Sequence, residues 1–291
     1  WVDYEYKSDD ATRQTIYSLR DKKRLLTVKL SGIEKMSHAS DLALVLQKAV
    51  TMTLRANGIE LPNPVPTDYE NYIEHIEKNP RIWEPLIADD PRLSSIVANS
   101  KQLVENLAKC DLATFHRVTD TLRSVDLDIR LKNETIKQWL VEVQNELAQM
   151  GNYNGLLIVW DEFTDVMDLI GVPVLKELQD IAEKFMNSEN NSYLFFISHP
   201  SAFNKIDPEQ LKQTDGRYHR MKYNMEPVSA FQIMSRKFEV IDSEKHEQMY
   251  RMFYELHPEM LGIYIQKSND NQSTKEDLFN LFPLHPGTAT L

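Results

Sequence analysis

Glycine is scarce in this 291-residue chain: there are eight, at positions 32, 58, 151, 155, 171, 216, 262 and 287. None belongs to a G-x-x-x-x-G-K-[ST] run, so the backbone amides and the lysine that such a loop aims at phosphates have no counterpart here. The single cysteine, Cys110, excludes an intrachain disulfide, and no Cys/His spacing reads as a zinc site. A reducing compartment, the cytoplasm, is the expected location. No apolar run is long enough to span a bilayer, and Trp1, Val2, Asp3 and Tyr4 do not have the form of a signal peptide. Positive charge is also in short supply. With 33 Lys plus Arg against 44 Asp plus Glu, the formal charge of -11 argues against a general electrostatic grip on nucleic acid, though a local basic patch stays compatible with it. The chain opens without Met and stops at Leu291 inside an apolar segment, and so reads as a fragment of something longer.

What is present suits one large core, or one core with a smaller helical domain, because 42% of residues are hydrophobic and 26% charged. Leu25 to Leu30 is a short aliphatic and β-branched run bounded by charge and by Ser31-Gly32, which predicts a buried strand. Leu42, Val45, Leu46, Ala49 and Val50 then recur at helical spacing, with Ser40 or Asp41 placed to cap, and predict a helix to about Ala56 that stops near Gly58. Pro62, Pro64 and Pro66 break it. Residues 67–150 are polar and helical in period, an insertion that ends in a long helix from about Asn133 to Ala148.

Leu156-Leu157-Ile158-Val159-Trp160 is the most hydrophobic short run in the chain and predicts a central strand buried on both faces. Leu175, Leu178, Ile181, Ala182 and Phe185 mark an amphipathic helix, and Tyr193 to Ile197 a second buried strand. A further strand at about His219 to Met225 and a helix from Ser229 to about Val240 continue the alternation, and Met249, Met252, Phe253 and Leu256 lie in a last helical stretch. Strand, helix, strand with right-handed crossovers means an α/β fold with a parallel sheet. The expected organisation is a core strand and helix in 1–66, the insertion in 67–150, the rest of the core in 151–240, and the start of a helical lid in 241–291.

Acids at the carboxyl ends of such strands point into a crevice rather than into the core, and Asp161 and Glu162 stand there. One carboxylate can hold Mg²⁺ through water while its neighbour deprotonates the water that attacks a γ-phosphate. Four aliphatics and an aromatic before Asp-Glu therefore form a Walker B signal. The alternative is a strand that ends in solvated acids. The next strand ends in Ser198 and His199, polar groups placed to sense a γ-phosphate, or else to cap a helix before Pro200. Gly216 precedes Arg217, and Arg220 follows close by. Either guanidinium can stabilise charge on a transferring phosphoryl group, or pair with a surface acid, and the freedom of Gly216 favours Arg217. His285 sits between Pro283 and Pro286, which fix a turn that either closes over a nucleotide or only joins two helices.

Taken in order, Leu156 to Phe163, Phe196-Ile197-Ser198-His199-Pro200, Gly216-Arg217-Tyr218, Glu226-Pro227-Val228-Ser229 and Leu281-Phe282-Pro283-Leu284-His285-Pro286 resemble large prokaryotic P-loop ATPases of the AAA+/STAND kind. These include ATPases of BREX-type phage-defence systems. The resemblance spans about residues 20 to 291 and implies an NTPase core that binds ATP and Mg²⁺ and acts as a homo-oligomer or with defence-system partner proteins. The residues themselves put Asp161 on the metal, Glu162 as base, Ser198 and Arg217 in catalysis at the γ-phosphate, and His199, Arg220 and His285 near the nucleotide. The missing phosphate loop departs from the family pattern. A degenerate ATPase or non-catalytic scaffold fits the same residues. A metal-dependent nuclease using Asp161 and Glu162 fits less well, for want of a nearby D/E-x-K lysine and because of the acidic balance.

Overall fold

The structure is a computed structural model, described here for residues 10–22, 24–127, 135–199, 219, 234–235, 240–260 and 279–284. It divides into two compact units, Trp1–Tyr218 and His219–Leu291. Among the described residues no helix is long and apolar enough to cross a membrane.

The first unit is mixed α/β. Its elements are α1 (Asp10–Lys22), β1 (Leu25–Ser31), α2 (Leu42–Ala56), α3 (Asp68–Lys78), α4 (Pro80–Asp89), α5 (Pro91–Ser94), α6 (Ser100–Ala108), α7 (Leu112–Ser124), α8 (Ile136–Gln149), β2 (Gly155–Asp161), α9 (Phe163–Leu169), α10 (Val172–Met186) and β3 (Tyr193–Phe196). The strands form a parallel sheet in the order β1-β2-β3. Register pairs Leu26 with Leu156, Val28 with Ile158 and Leu30 with Trp160, and Ile158 and Trp160 with Leu194 and Phe196. Side chains alternate across a strand, so these residues share one face. That face is covered: α2 packs on β1, α8 on β2 and α10 on β3, and α8 touches both other helices.

The opposite face differs from the sequence expectation. β2 is not buried on both sides: Leu156, Ile158 and Trp160 are buried, whereas Leu157 and Val159 are half-buried. Their neighbours Tyr193 and Phe195 on β3 are 45% and 51% exposed. A run apolar on both faces has two faces to bury, but a sheet whose strands follow one another in sequence receives its right-handed crossovers on one side only.

The helical segment is tied to the core at its start. Gln47 on α2 donates to the Asp68 carboxylate at 3.3 Å and accepts the Asp68 N–H at 3.0 Å. Thr67 and Glu70 form a reciprocal cap on α3. The proline-rich connector is held by α8, where the Trp139 indole donates to the carbonyls of Val65 and Pro66 at 3.3 and 3.2 Å, and Glu146 accepts from the Asn63 backbone at 2.9 Å. Buried residues of α3 to α8, Trp83, Leu103, Val118 and Leu140 among them, form one continuous core with the sheet. The long helix begins at Ile136 behind a Thr135 cap, and the expected start at Asn133 lies outside the described residues.

Neither residue expected to cap α2 does so. Asp41 occupies the N-cap position, but its buried carboxylate turns back to accept the N–H groups of Ser37 and His38 at 2.8 and 3.0 Å and meets His116 Nε2 at 3.0 Å. At Gly155 a side chain is impossible without rearrangement, since a Cβ would lie 2.0 Å from the Asn191 carbonyl oxygen.

In the second unit α11 (Ser243–Leu256) is capped by Asp242, which accepts the Lys245 N–H at 3.1 Å. Tyr250 packs edge to face on Tyr254, Phe279 and Phe282, Phe253 and Tyr254 meet Phe282 at a tilt, and His246 Nε2 lies 2.8 Å from the Phe279 carbonyl oxygen. The strand and helix expected between His219 and Val240 lie outside the described residues, save for isolated positions.

One buried contact predicts pH dependence. Trp83, fully buried, donates its indole N–H to His75 Nδ1 at 3.0 Å, which requires that nitrogen to be unprotonated, and burial lowers the His75 pKa from its ordinary 6.5. The unfolded chain therefore takes up this proton at higher pH than the folded one. The contribution is whole above about pH 6.5 and is lost as pH falls through the window beneath it. Thermal unfolding should show a steeper loss of Tm between about pH 7 and about pH 5 in the wild type than in His75→Gln, which keeps an acceptor but cannot titrate.

Candidate functional site

The carboxyl ends of the three strands lie side by side, and the residues just beyond them form the site. β1 ends at Ser31, paired with Asp161, and the ladder extends one residue further through the Gly32 N–H to the Asp161 carbonyl at 2.9 Å. The fully buried Trp160 donates its indole N–H to the Gly32 carbonyl at 2.8 Å, which fixes the turn after β1 against the middle strand. Gly32 has φ +59°, a conformation that L side chains rarely adopt, so the sharp exit from β1 favours glycine here. On the other side, Ile197 N–H donates to the Trp160 carbonyl and Phe163 N–H to the Ile197 carbonyl, both at 2.9 Å. His199 N–H donates to Thr164 Oγ1 at 2.7 Å.

Asp161 and Glu162 are both exposed. Asp161 Oδ1 accepts the Glu162 N–H at 2.8 Å, and Glu162 Oε2 accepts the Ser31 hydroxyl at 3.0 Å. Glu162 has φ 53° and ψ 34°, a left-handed conformation unusual for a side chain of this size. It stands at the N-cap position of α9 without making a side-chain cap, so its carboxylate is directed across the strand ends instead of to the helix. A Cβ built on Gly32 would lie 3.6 Å from both Glu162 Oε2 and Asp165 Oδ2, so these two acids converge on one side of the Gly32 turn.

Of the residues singled out from sequence, Asp161, Glu162, Ser198 and His199 fall at adjacent strand ends, and the backbone bonds of Ile197 and His199 hold the last two beside the Glu162 to Thr164 turn. Arg217, Arg220 and His285 lie outside the described residues. Ser31, Thr164 and Asp165 were not anticipated. Ser31 was legible by the same rule that found Asp161, since it too ends an apolar strand. Asp165 follows Glu162 by three, a spacing that puts both over the first turn of a helix.

Mg²⁺ characteristically keeps several waters and binds through one or two carboxylates together with substrate phosphates. The exposed Asp161, with Glu162 and Asp165 nearby, suits that donor set. Among the described residues no group of three or more His, Cys, Asp or Glu could enclose a metal ion, so a closed all-protein metal site is not built here. No family model, curated protein or solved structure matches the chain.

The conformation of Glu162 is testable without a ligand. A left-handed residue with a side chain costs roughly 1–2 kcal/mol that glycine escapes. Denaturant unfolding should find Glu162→Gly more stable than Glu162→Ala by about 1 kcal/mol. Equal stabilities would mean that the residue is not held at positive φ.

Proposed function

We propose that the chain forms part of a P-loop-type ATPase core and that nucleotide hydrolysis takes place at the carboxyl ends of its strands. The observation that carries this reading is Glu162: an exposed acid beyond the middle strand of a parallel sheet, in a strained backbone conformation, with its carboxylate oriented by the Ser31 hydroxyl. Left-handed backbone also occurs at Glu34, Lys35, Cys110 and Asp126, and what sets Glu162 apart is its place beyond the middle strand with its carboxylate held by Ser31. In this reading Glu162 accepts the proton of the attacking water, and Ser31 holds the carboxylate in place. Asp161 would hold Mg²⁺ through water, and the ion would supply charge to offset that of the phosphates. Ser198 and His199, on the neighbouring strand end, face the terminal phosphate, and Arg217, Arg220 and His285 belong to the same proposal. Oligomerisation or partner proteins, as in the phage-defence ATPases the sequence resembles, would couple turnover to assembly.

A second reading, a scaffold that serves only for protein contacts, is favoured by one observation: the exposed aromatic and aliphatic row of Tyr193, Phe195 and Ile197. The two readings separate on mutation. In the whole protein Glu162→Gln keeps shape and reach but cannot take a proton, so single-turnover hydrolysis should fall by about 10² to 10⁴-fold with ATP binding retained. Asp161→Asn should weaken Mg²⁺-dependent nucleotide binding as well, since a neutral amide is a poorer ligand for a hard cation. Normal turnover in Glu162→Gln would overturn the ATPase assignment.

The missing glycine-rich loop adds a prediction for the 291-residue chain alone. Without a phosphate cradle most of the triphosphate charge is uncompensated. Calorimetry should detect no tight ATP binding. Saturable binding at micromolar concentration would mean that the nucleotide site lies elsewhere.

A further inference from the structure

Away from the strand ends, the outer margin of the sheet has its own groove. Among the described residues β1 pairs only with β2, so its other edge is open. In a parallel ladder one set of alternate residues bonds to one neighbour and the other set faces away. Gly32, an even-numbered position, donates toward β2, whereas the Ser31 N–H points outward and is taken by Glu34 Oε1 at 3.1 Å. Thr27 and Lys29, in phase with Ser31, thus present their backbone N–H and C=O groups at the open edge. Both line a groove of about 370 Å³ whose far wall is α2, contributing Lys48, Ala49 and Met52. The combination of a strand edge, a helical wall and an apolar strip between them is the geometry that receives an extended peptide as an added strand.

Charge identifies the peptide. In a chain of formal charge -11, this groove is lined by Lys29 and Lys48 against Glu34, and Glu34 is already engaged in closing the Ser31 end. Among the described residues neither lysine forms an ion pair within 4.0 Å, although Lys48 helps to lower the Asp111 pKa from a longer range. A second copy of this chain is a poor occupant, because antiparallel pairing of two β1 edges about their centre brings the two Lys29 side chains close together. The geometry points to an acidic, extended peptide of a partner protein that adds to the β1 edge. Its aliphatic side chains enter toward Ala49 and Met52, and its alternate, acidic side chains lie on the opposite face of the sheet beside Lys29. This site is separate from the strand-end acids and does not depend on their role.

The test uses a fluorescein-labelled hexapeptide of alternating valine and glutamate, titrated with the intact chain and followed by fluorescence anisotropy. Saturable binding is expected, weakened about tenfold by Lys29→Glu and by added salt, with the valine and lysine analogue failing to bind. Thr27→Pro removes an outward N–H at an edge, where proline is tolerated, and should abolish binding with little change in melting temperature. Should that variant not fold, N-methylation of the peptide's own amides tests the same bonds and should abolish binding to the wild type. No saturable binding, equal binding of the lysine analogue, or indifference to N-methylation would overturn the proposal. So would a dimer in sedimentation equilibrium that Thr27→Pro dissolves, since the edge would then belong to a second copy.

Discussion

Trp160 joins the three strand ends. Its side chain is fully buried in the middle strand, its indole N–H binds the Gly32 carbonyl beyond β1, and its backbone carbonyl accepts from Ile197 beyond β3. Its ring meets Phe163 edge to face with centroids 5.5 Å apart, and Phe163 meets Phe196 at 4.7 Å. A buried indole N–H left without an acceptor carries a desolvation cost of about 1–3 kcal/mol, so the Gly32 turn has to come close. Once it does, Ser31 is placed to donate to Glu162, and the left-handed turn at Glu162 follows directly after the strand that Trp160 anchors. The acids are exposed and flexible by type; the tryptophan beneath them is what gives them fixed neighbours.

The helical segment contributes rigidity from a distance. Its two ends are brought together by Trp139, which holds the proline-rich connector through the carbonyls of Val65 and Pro66, so that α3 to α8 pack as an extension of the core. Within it, Arg92 donates from Nε to Asp90 Oδ1 at 2.9 Å and from Nη2 to Asp90 Oδ2 at 2.7 Å, reaches the Asp120 carbonyl at 3.2 Å and donates to Ser124 at 2.6 Å, while Arg117 donates to the Arg92 carbonyl at 3.0 Å. Hydrogen bonding from Arg92 holds the Asp90 carboxyl well below the usual carboxylate range. Such forked contacts fix helix ends that have little apolar surface to bury.

Across the sheet the character of the uncovered face changes in one direction. Thr27 and Lys29 on β1 are polar, Leu157 and Val159 on β2 are half-buried, and Tyr193, Phe195 and Ile197 on β3 are apolar and open. A lysine on an edge strand discourages indiscriminate pairing, so the β1 margin is selective where the β3 side is adhesive.

Local pattern determined much of this protein. The apolar runs at Leu25, Leu156 and Tyr193 gave three strands, helical spacing gave α2, α8, α10 and α11, and the end of the most hydrophobic run gave Asp161 and Glu162, because each of these signals lies within a few neighbouring residues. Tertiary structure alone decided the rest. The hydroxyl that orients Glu162 comes from Ser31, 131 residues away, and depends on the register that sets Ser31 against Asp161. That the Gly32 turn comes to lie beside Glu162 and Asp165 depends on the Trp160 indole, which draws that turn in. Composition could not tell that β2 would be covered on one side only, since burial of a strand's second face is set by the direction in which strands are added to the sheet, and that is a property of the assembled chain.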